Sequence, residues 1–437
     1  MAIGLNKKVL ISCLAVTTLV GLAGCGAGSK TAEKTSTKVA CDFTNPPAAT
    51  TVNVLAYNSS AVDPYSNTMV SSCTRENVTV KHDPIDFPGQ VQKTTATLAS
   101  DSGSYDILET YSFVIPDYGS RQKLVPLDDL FAKYSDEYKL GDLDESMVKA
   151  MSYEGKLYGV PMQAQTHVMA YRKDLFDKNG ITPPTTFEEM KAAAKKLQDA
   201  EGMKYPIALP WLASGDIGTA YRAVLSSLGK FYVDPSTKKP NFDTPEAGKA
   251  FEEMKGLLPY MDPQVTTFDQ PKVQQQLFNG TAAMGIMFSG RMVDLTKPEN
   301  TKFAESFDFA PPPAVLEGGK TFGTLSVDGW SIPFNTKVDK DLLFELISAS
   351  VSEDASKASI PAAYPARKGL DQSASPYAKA ADTAIANMAE QESQTWLPPI
   401  NAASLPIITE VISGKISVAE GQKKMQAAAE KVLADST

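Results

Sequence analysis

Residues Tyr153–Phe176 read YEGKLYGVPMQAQTHVMAYRKDLF. The first ten residues have the pattern of a two-strand ribbon, and Gln163, Gln165, Thr166 and His167 follow directly. His82 and His167 are the only two histidines in 437 residues. The polar run is therefore either an active site or a passive binding wall, and the rest of the chain has to decide between them.

Outward from this stretch the pattern is α/β. TTVNVLAY alternates as a strand and breaks into the polar loop NSSAVDPYS, and NVTVKHDPI is a second strand. A helix is expected around Val91–Leu98, then a turn at DSGS and a short strand over Tyr105–Leu108. Strand, helix, strand implies a parallel sheet with helices on its faces. TTFEEMKAAAKKLQDA opens with a cap at Thr185 or Thr186, with Glu188 or Glu189 three residues on. Further helices are expected in TPEAGKAFEEMKGLLPYM, PKVQQQLFNG, KDLLFELISASV and VAEGQKKMQAAAEKVLA, and strands in YPIALP, AAMGIMF and GWSIPF. LEGGKTFG, after Pro311, Pro312 and Pro313, reads as a flexible loop at which the chain returns to an earlier lobe. A chain of this length is expected to form two or three lobes.

The N-terminus reads differently. Lys7 and Lys8 precede an apolar run from Val9 to about Val20 and then small residues, which is a secretory signal. The run is shorter than the roughly 20 residues needed to span a bilayer. Leu-Ala-Gly-Cys ends it and resembles a bacterial lipobox, which makes residues 1–24 a signal peptide and Cys25 a lipidated mature N-terminus. Residues 25–48 are small and polar and suit a flexible tether. Cys41 and Cys73 then remain as an even pair in a disulfide-permissive compartment, either bridged or as two buried thiols.

Composition excludes several functions. The net charge is −9, and phosphate binding needs concentrated Lys and Arg, so nucleic acid is not an expected partner. There is no GxSxG elbow, HExxH helix, Walker A loop or paired-cysteine zinc spacing, so neither a metal nor another cofactor is expected. A glycoside hydrolase needs only two carboxylates across a cleft, and Glu109 and Asp328 would be its candidates. The loops carry instead a set of aromatic and planar polar residues beside strands: Tyr57 with Asn58, Glu109 with Tyr111, Gln165 with His167, Trp211, Asp328 with Trp330, and Trp396. Rings stack on the C–H faces of sugars and planar polar groups pair with hydroxyls, so the mixture suits a carbohydrate.

These residues resemble the extracellular solute-binding proteins of carbohydrate ABC importers, the group that includes maltodextrin-binding proteins. The resemblance covers nearly the whole mature chain. YEGKLYGVPM followed by VMAYRKDLFDKNGITPPTTFEEMKAAAKKL matches the family's GKxYGxP, YNKDLF and PPxTWxEL, with Arg172 in place of Asn and Phe187 in place of Trp. FNGTAAMGIMFSG, VDGWSIPFN, AAYPARKG and ISGKISVAEGQKKMQAAAEKVL add to it.

The resemblance implies a two-lobed periplasmic-binding-protein fold of type II-like organisation, with discontinuous lobes joined by a hinge. Lobe one would hold 49–162 and 325–375, and lobe two 163–324 and 376–437, with crossings near Gln163 and Ala164, Gly323 and Thr324, and Pro376. It implies ligand contacts from Tyr57, Asn58, Glu109, Tyr111, Gln165, His167, Trp211, Arg291, Asp328, Gly329, Trp330, Arg367 and Trp396. It further implies a non-enzymatic, monomeric lipoprotein held to the membrane by lipid on Cys25. Such a protein closes on a mono-, di- or oligosaccharide or a polyol and delivers it to permease subunits. A glycosidase and a surface adhesin are the alternatives.

Overall fold

The computed structural model describes residues 38–435. The signal segment, Cys25 and the first part of the tether lie outside the described residues. The strands in chain order are β1 (Thr50–Leu55), β2 (Val78–His82), β3 (Ile107–Tyr111), β4 (Ser152–Tyr153), β5 (Lys156–Leu157), β6 (Val160–Arg172), β7 (Ile207–Ala208), β8 (Met284–Phe288), β9 (Phe307–Ala310), β10 (Leu325–Ser331) and β11 (Tyr364–Pro365). The main sheet runs β2-β1-β3-β10-β6-β8-β7, with β9 and β11 also paired to β6. As the strand-helix-strand pattern implies, β2, β1 and β3 are parallel. The β4–β5 hairpin turns through Glu154 and Gly155, both at positive φ, the backbone a tight two-residue hairpin requires.

The opening stretch is where the structure departs most from the sequence pattern. Val160–Arg172 is one strand of 13 residues, every one of them buried. Residues Val160 to Thr166 pair with β10, and His167 to Tyr171 pair with β8. The sheet partner thus changes between Thr166 and His167, two residues beyond the expected crossing, and no break marks it. Continuous burial erases the in-out alternation that would have announced so long a strand.

Two large hydrophobic cores lie on either side of this strand. One gathers Val52, Val54, Tyr65, Ile107, Leu108 and Met162 with Val327, Trp330, Phe344 and Ile347. The other gathers Met169, Phe176, Phe187, Trp211, Tyr221, Phe251 and Ile286 with Phe322, Leu397, Val411 and Met425, and a smaller cluster around Val168, Met287 and Tyr377 adjoins it. Thr186 caps Phe187–Glu201 by accepting from the Glu189 N–H, while Glu189 Oε2 accepts from the Thr185 N–H. The segment expected to be a flexible loop is bound down: Phe322 N–H donates to Pro313 O, and the Ser227 hydroxyl donates to Lys320 O. Patterning missed the helices Asp63–Cys73, Asp216–Ser227, Ala378–Asn387 and Leu397–Ile412, the last with Pro406 inside it; the first starts within NSSAVDPYS, which read as a polar loop, because a proline is well accommodated in a helix's first turn.

The tether expectation also needs correction from about residue 39 onward. Val39 N–H donates to Ser72 Oγ, Cys41 is disulfide-bonded to Cys73, and Asn77 Nδ2 donates to Pro46 O. The Arg75 guanidinium lies over the Phe43 ring, 4.5 Å from its centroid. Small polar composition suggested a loose linker, but hydrogen bonds and a covalent bond strap it to the first core. The disulfide closes a loop with a sequence separation of 32, and in the chain-entropy model such a loop contributes about 3–4 kcal/mol. The double substitution Cys41→Ser with Cys73→Ser should lower stability by that order in denaturant unfolding, and an unchanged midpoint would contradict it.

Candidate functional site

The middle of β6 carries the site. Gln163, Gln165 and His167 alternate onto one face of the strand. Asp328 lies opposite Gln163 in β10, just before a register shift at Asp328/Gly329. Gln165 Nε2 donates to Asp328 Oδ2 at 2.7 Å and to the Tyr57 hydroxyl at 3.0 Å, and Gln163 Nε2 reaches the same Asp328 oxygen at 3.4 Å. Ser326 Oγ donates to Asp328 Oδ1. On β3, Glu109 Oε2 accepts from the Tyr57 backbone N–H at 3.0 Å. Its Oε1, like Gln163 Oε1 and Thr166 Oγ1, is buried with no hydrogen-bond partner. Tyr111 stacks on Phe113 with ring centroids 5.4 Å apart and donates its hydroxyl to Gln90 Oε1.

Across the seam, His167 lines a narrow cavity with Leu209, Pro210, Trp211, Asp216, Thr219, Ala220, Gln270, Ile286 and Phe322. The Thr324 N–H donates to His167 Nδ1 at 3.0 Å, which leaves Nε2 to carry the imidazole proton. Burial lowers the His167 pKa to about 4, so the ring is neutral and acts as a hydrogen-bonding group. The Arg291 guanidinium donates to Gln274 Oε1 at 3.5 Å, and its charge favours the ionised forms of Tyr57, Asp63 and Asp216.

The carboxyl groups here are strongly perturbed. Burial pushes Asp63 and Asp328 up to about 6 and Asp216 up to about 7. Glu109 is raised well above the usual carboxylate range, first by burial and then by the neighbouring Asp328 charge. Neither Glu109 nor Asp328 is in an ion pair with a lysine or arginine among the described residues.

Not every residue expected to touch ligand reaches this region. Trp330 is fully buried in the first core and donates its indole N–H to Ser350 Oγ at 2.8 Å, so it is a core residue. Gly329 serves backbone packing, since a Cβ there would lie 2.6 Å from Val160 O. Arg367 donates to Val351 O, Lys139 O and Tyr138 O. Those carbonyls end the helices Lys340–Ser350 and Asp128–Tyr138, where a guanidinium satisfies unpaired acceptors and meets the negative end of each helix dipole. Trp396 precedes the helix Leu397–Ile412 and donates its indole N–H to Glu392 Oε1, at the second core's periphery. Asn58 is half-buried, its N–H donating to Ile85 O. Tyr57, Glu109, Tyr111, Gln165 and Asp328 do converge, and His167 and Trp211 line the cavity beyond them.

Sequence reasoning missed Asp216, Gln270 and Phe322. A helix starting at Asp216 after the WLASG turn was the available signal for the first. Gln270 follows the N-cap Asp269, and Phe322 sits in the loop that was read as flexible.

An acid whose pKa is raised on folding binds its proton more tightly in the folded state, so its stabilising contribution is present at low pH and is lost as pH rises from the unfolded value through the folded one. For Asp328 that window runs from 3.8 to about 6. His167 acts oppositely between about 4 and 6.5, so the net slope mixes several groups and a variant is needed to isolate one. The stability difference between wild type and Asp328→Asn should shift against wild type by about 2–3 kcal/mol from pH 4 to pH 7. Parallel stability curves over this range would contradict the burial of an ionisable carboxyl here.

Comparison with known proteins fits this arrangement. The family model for bacterial extracellular solute-binding proteins matches residues 74–357. The maltotriose-binding protein of Pyrococcus abyssi is 30% identical over 195 residues, which is 43% of this chain and 39% of that protein; the chain thus spans about two-fifths of that relative's length. Maltose-bound MalE3 of T. maritima superposes with a TM-score of 0.78 at 18% identity, covering 87% of this chain and 99% of that one. An ABC transporter solute-binding protein of Agrobacterium vitis S4 with bound D-mannitol gives a TM-score of 0.77 at 24% identity, covering 88% and 99%. The fold is thus the two-lobed periplasmic-binding-protein fold expected from the sequence, and the chain belongs to the bacterial extracellular solute-binding protein family.

Proposed function

We propose that this protein is the substrate-binding lipoprotein of an ABC importer, capturing a sugar or polyol between its lobes and delivering it to a membrane permease. The observation that carries the reading is the polar centre of β6. Gln163 and Gln165 face Tyr57 and Asp328 from the first lobe, while His167 faces Trp211, Asp216 and Gln270 of the second. Such a seam offers a ring face together with paired donors and acceptors, the chemistry that hydroxyls bonded to C–H faces require. The saccharide and polyol ligands of the similar proteins support the same class.

On this reading Tyr57, Glu109, Tyr111, Gln165, Asp328 and Arg291 contact the solute, with His167 and Trp211 on the far wall. Ligand contacts both lobes only when they close, so binding shifts the population toward the closed form. We take the lobes as 49–162 with 325–375 and 163–324 with 376–437, a division that keeps each of the two large cores within one lobe apart from Cys41. Lipid on Cys25 would hold a monomer at the outer face of the membrane, with the strapped segment from Val39 onward fixing where the chain leaves lobe one. No helix among the described residues is long and apolar enough to cross a membrane.

A thermal-shift screen over sugars and polyols should find ligands that raise the melting temperature without being turned over. Turnover of a glycoside would favour the hydrolase reading of Glu109 and Asp328. Trp211→Ala should weaken the best ligand tenfold or more. Trp330→Ala should instead lower stability by about 3–5 kcal/mol and leave the affinity of the folded protein nearly unchanged. Mass analysis of protein from bacterial membranes should show diacylglycerol on an N-terminal Cys25, and a mature N-terminus elsewhere would remove the anchor from this account.

A further inference from the structure

We propose that Arg222 is a solute-binding residue of the second lobe, supplying the N–H donors that engage adjacent oxygens of a polyhydroxy ligand, an inference that rests on the sugar-binding reading above. Arg222 lies on the helix Asp216–Ser227, one turn on from Thr219, which lines the His167 cavity together with Asp216 and Ala220 of the same helix. Its guanidinium faces lobe one, 6.0 Å from the centroid of the Phe113 ring. Phe113 stacks on Tyr111, and Tyr111 in turn contacts Tyr57. On the other side the Arg222 charge acts on His167, whose pKa it helps burial to lower. Arg222 thus stands where the aromatic group of lobe one meets the His167 wall of lobe two.

Its lack of acceptors sets this arginine apart. Arg75, Arg121 and Arg172 each pair with an aspartate, Arg291 donates to Gln274, and Arg367 donates to three helix-end carbonyls. Among the described residues the Arg222 side chain has neither a hydrogen-bond acceptor nor an ion pair, although it is half-buried and its Nε is shut off from solvent. Glu392, whose charge acts on it, accepts instead from the Tyr232 N–H, the Val233 N–H and the Trp396 indole. The ring contact does not compensate, since about 6 Å is the outer limit of a cation–π interaction. Arg172, by contrast, lies 3.7 Å from the Phe303 centroid and is ion-paired as well. Withdrawing a guanidinium from water without an acceptor costs stability. The side chain is therefore held in a state that an added acceptor completes. A sugar or polyol brings one, because neighbouring hydroxyl oxygens match the fork of parallel N–H groups that a guanidinium presents.

The test replaces Arg222 with Met, which keeps an unbranched side chain beside Phe113 but removes every donor. Two quantities are measured on the mature protein: the melting temperature without solute, and the affinity by calorimetry for D-mannitol, ribitol, D-glucose, maltose and maltotriose. The probe that wild type binds best should bind Arg222→Met weaker by about tenfold or more. The unliganded variant should melt at the wild-type temperature or above it, because a charge without an acceptor has left the fold. Arg222→Lys keeps the charge without the planar fork and should recover part of the affinity. A merely structural role would move both quantities together. Weaker binding accompanied by a lower melting temperature, or an Arg222→Met protein that fails to fold, would therefore overturn the proposal. Affinities within about twofold of wild type would overturn it as well and leave the sugar reading standing. If wild type bound none of these probes, both this proposal and the function on which it rests would fall.

Discussion

Everything in this molecule depends on one strand being shared. β6 hydrogen-bonds to β10 through its first half and to β8 through its second, so the two cores are joined by an unbroken stretch of main chain and not by a loose linker. Register is rigid in such a strand, because a one-residue slip would turn every side chain to the opposite face. Gln163, Gln165 and His167 therefore occupy fixed places on the seam. The irregularity at Asp328/Gly329 sets Asp328 against Gln163 while letting Gly329 lie close to Val160. The position of the polar cluster follows from sheet geometry before any ligand is considered.

That geometry has an energetic consequence. Glu109 and Gln163 each bury an oxygen with no partner, and a buried, unsatisfied acceptor costs about 1–3 kcal/mol. Arg367 stands in contrast, its guanidinium donating to three helix-end carbonyls. Other unpartnered buried atoms lie elsewhere, the Ser348 and Ser404 hydroxyls among them, so what sets Glu109 and Gln163 apart is their place close to Asp328. On the proposed function, hydroxyl donors of a solute held where the lobes meet would complete these two acceptors.

Much of the fold was legible in the sequence because local chemistry marked it. The Thr186 cap, the Glu154-Gly155 turn and the parallel β2-β1-β3 unit all follow from short-range pattern. β6 was only half legible, since full burial on both faces removes periodicity. The site was legible in the same uneven way. Gln165 and Asp328 lie in strands and Tyr57 just past one, where a polar side chain is conspicuous, and they do converge. Trp330 and Arg367 stand in equally suggestive motifs, but their partners, Ser350 and three carbonyls, come from helices distant in sequence that no local pattern connects. A tryptophan beside a strand and an arginine in a loop have the same appearance whether they serve core or cleft, and only tertiary packing separates the two roles.

The perturbed carboxyl groups bind these points together. Burial raises the pKa of Asp63 and Asp328 to about 6 and of Asp216 to about 7, and it holds Glu109 well above the usual carboxylate range. At neutral pH these sites either bury carboxylates that lack enough donors or take up protons, and both cost stability. Hydroxyl donors from a bound solute relieve that penalty, since hydrogen bonding to the charged form lowers a carboxyl pKa. On the proposed function, the acidic cluster would then favour the loaded protein over the unloaded one. On that reading, discrimination between unloaded and loaded protein would arise from the solvation of a few carboxylates at the seam, beside a His167 ring kept neutral by its burial.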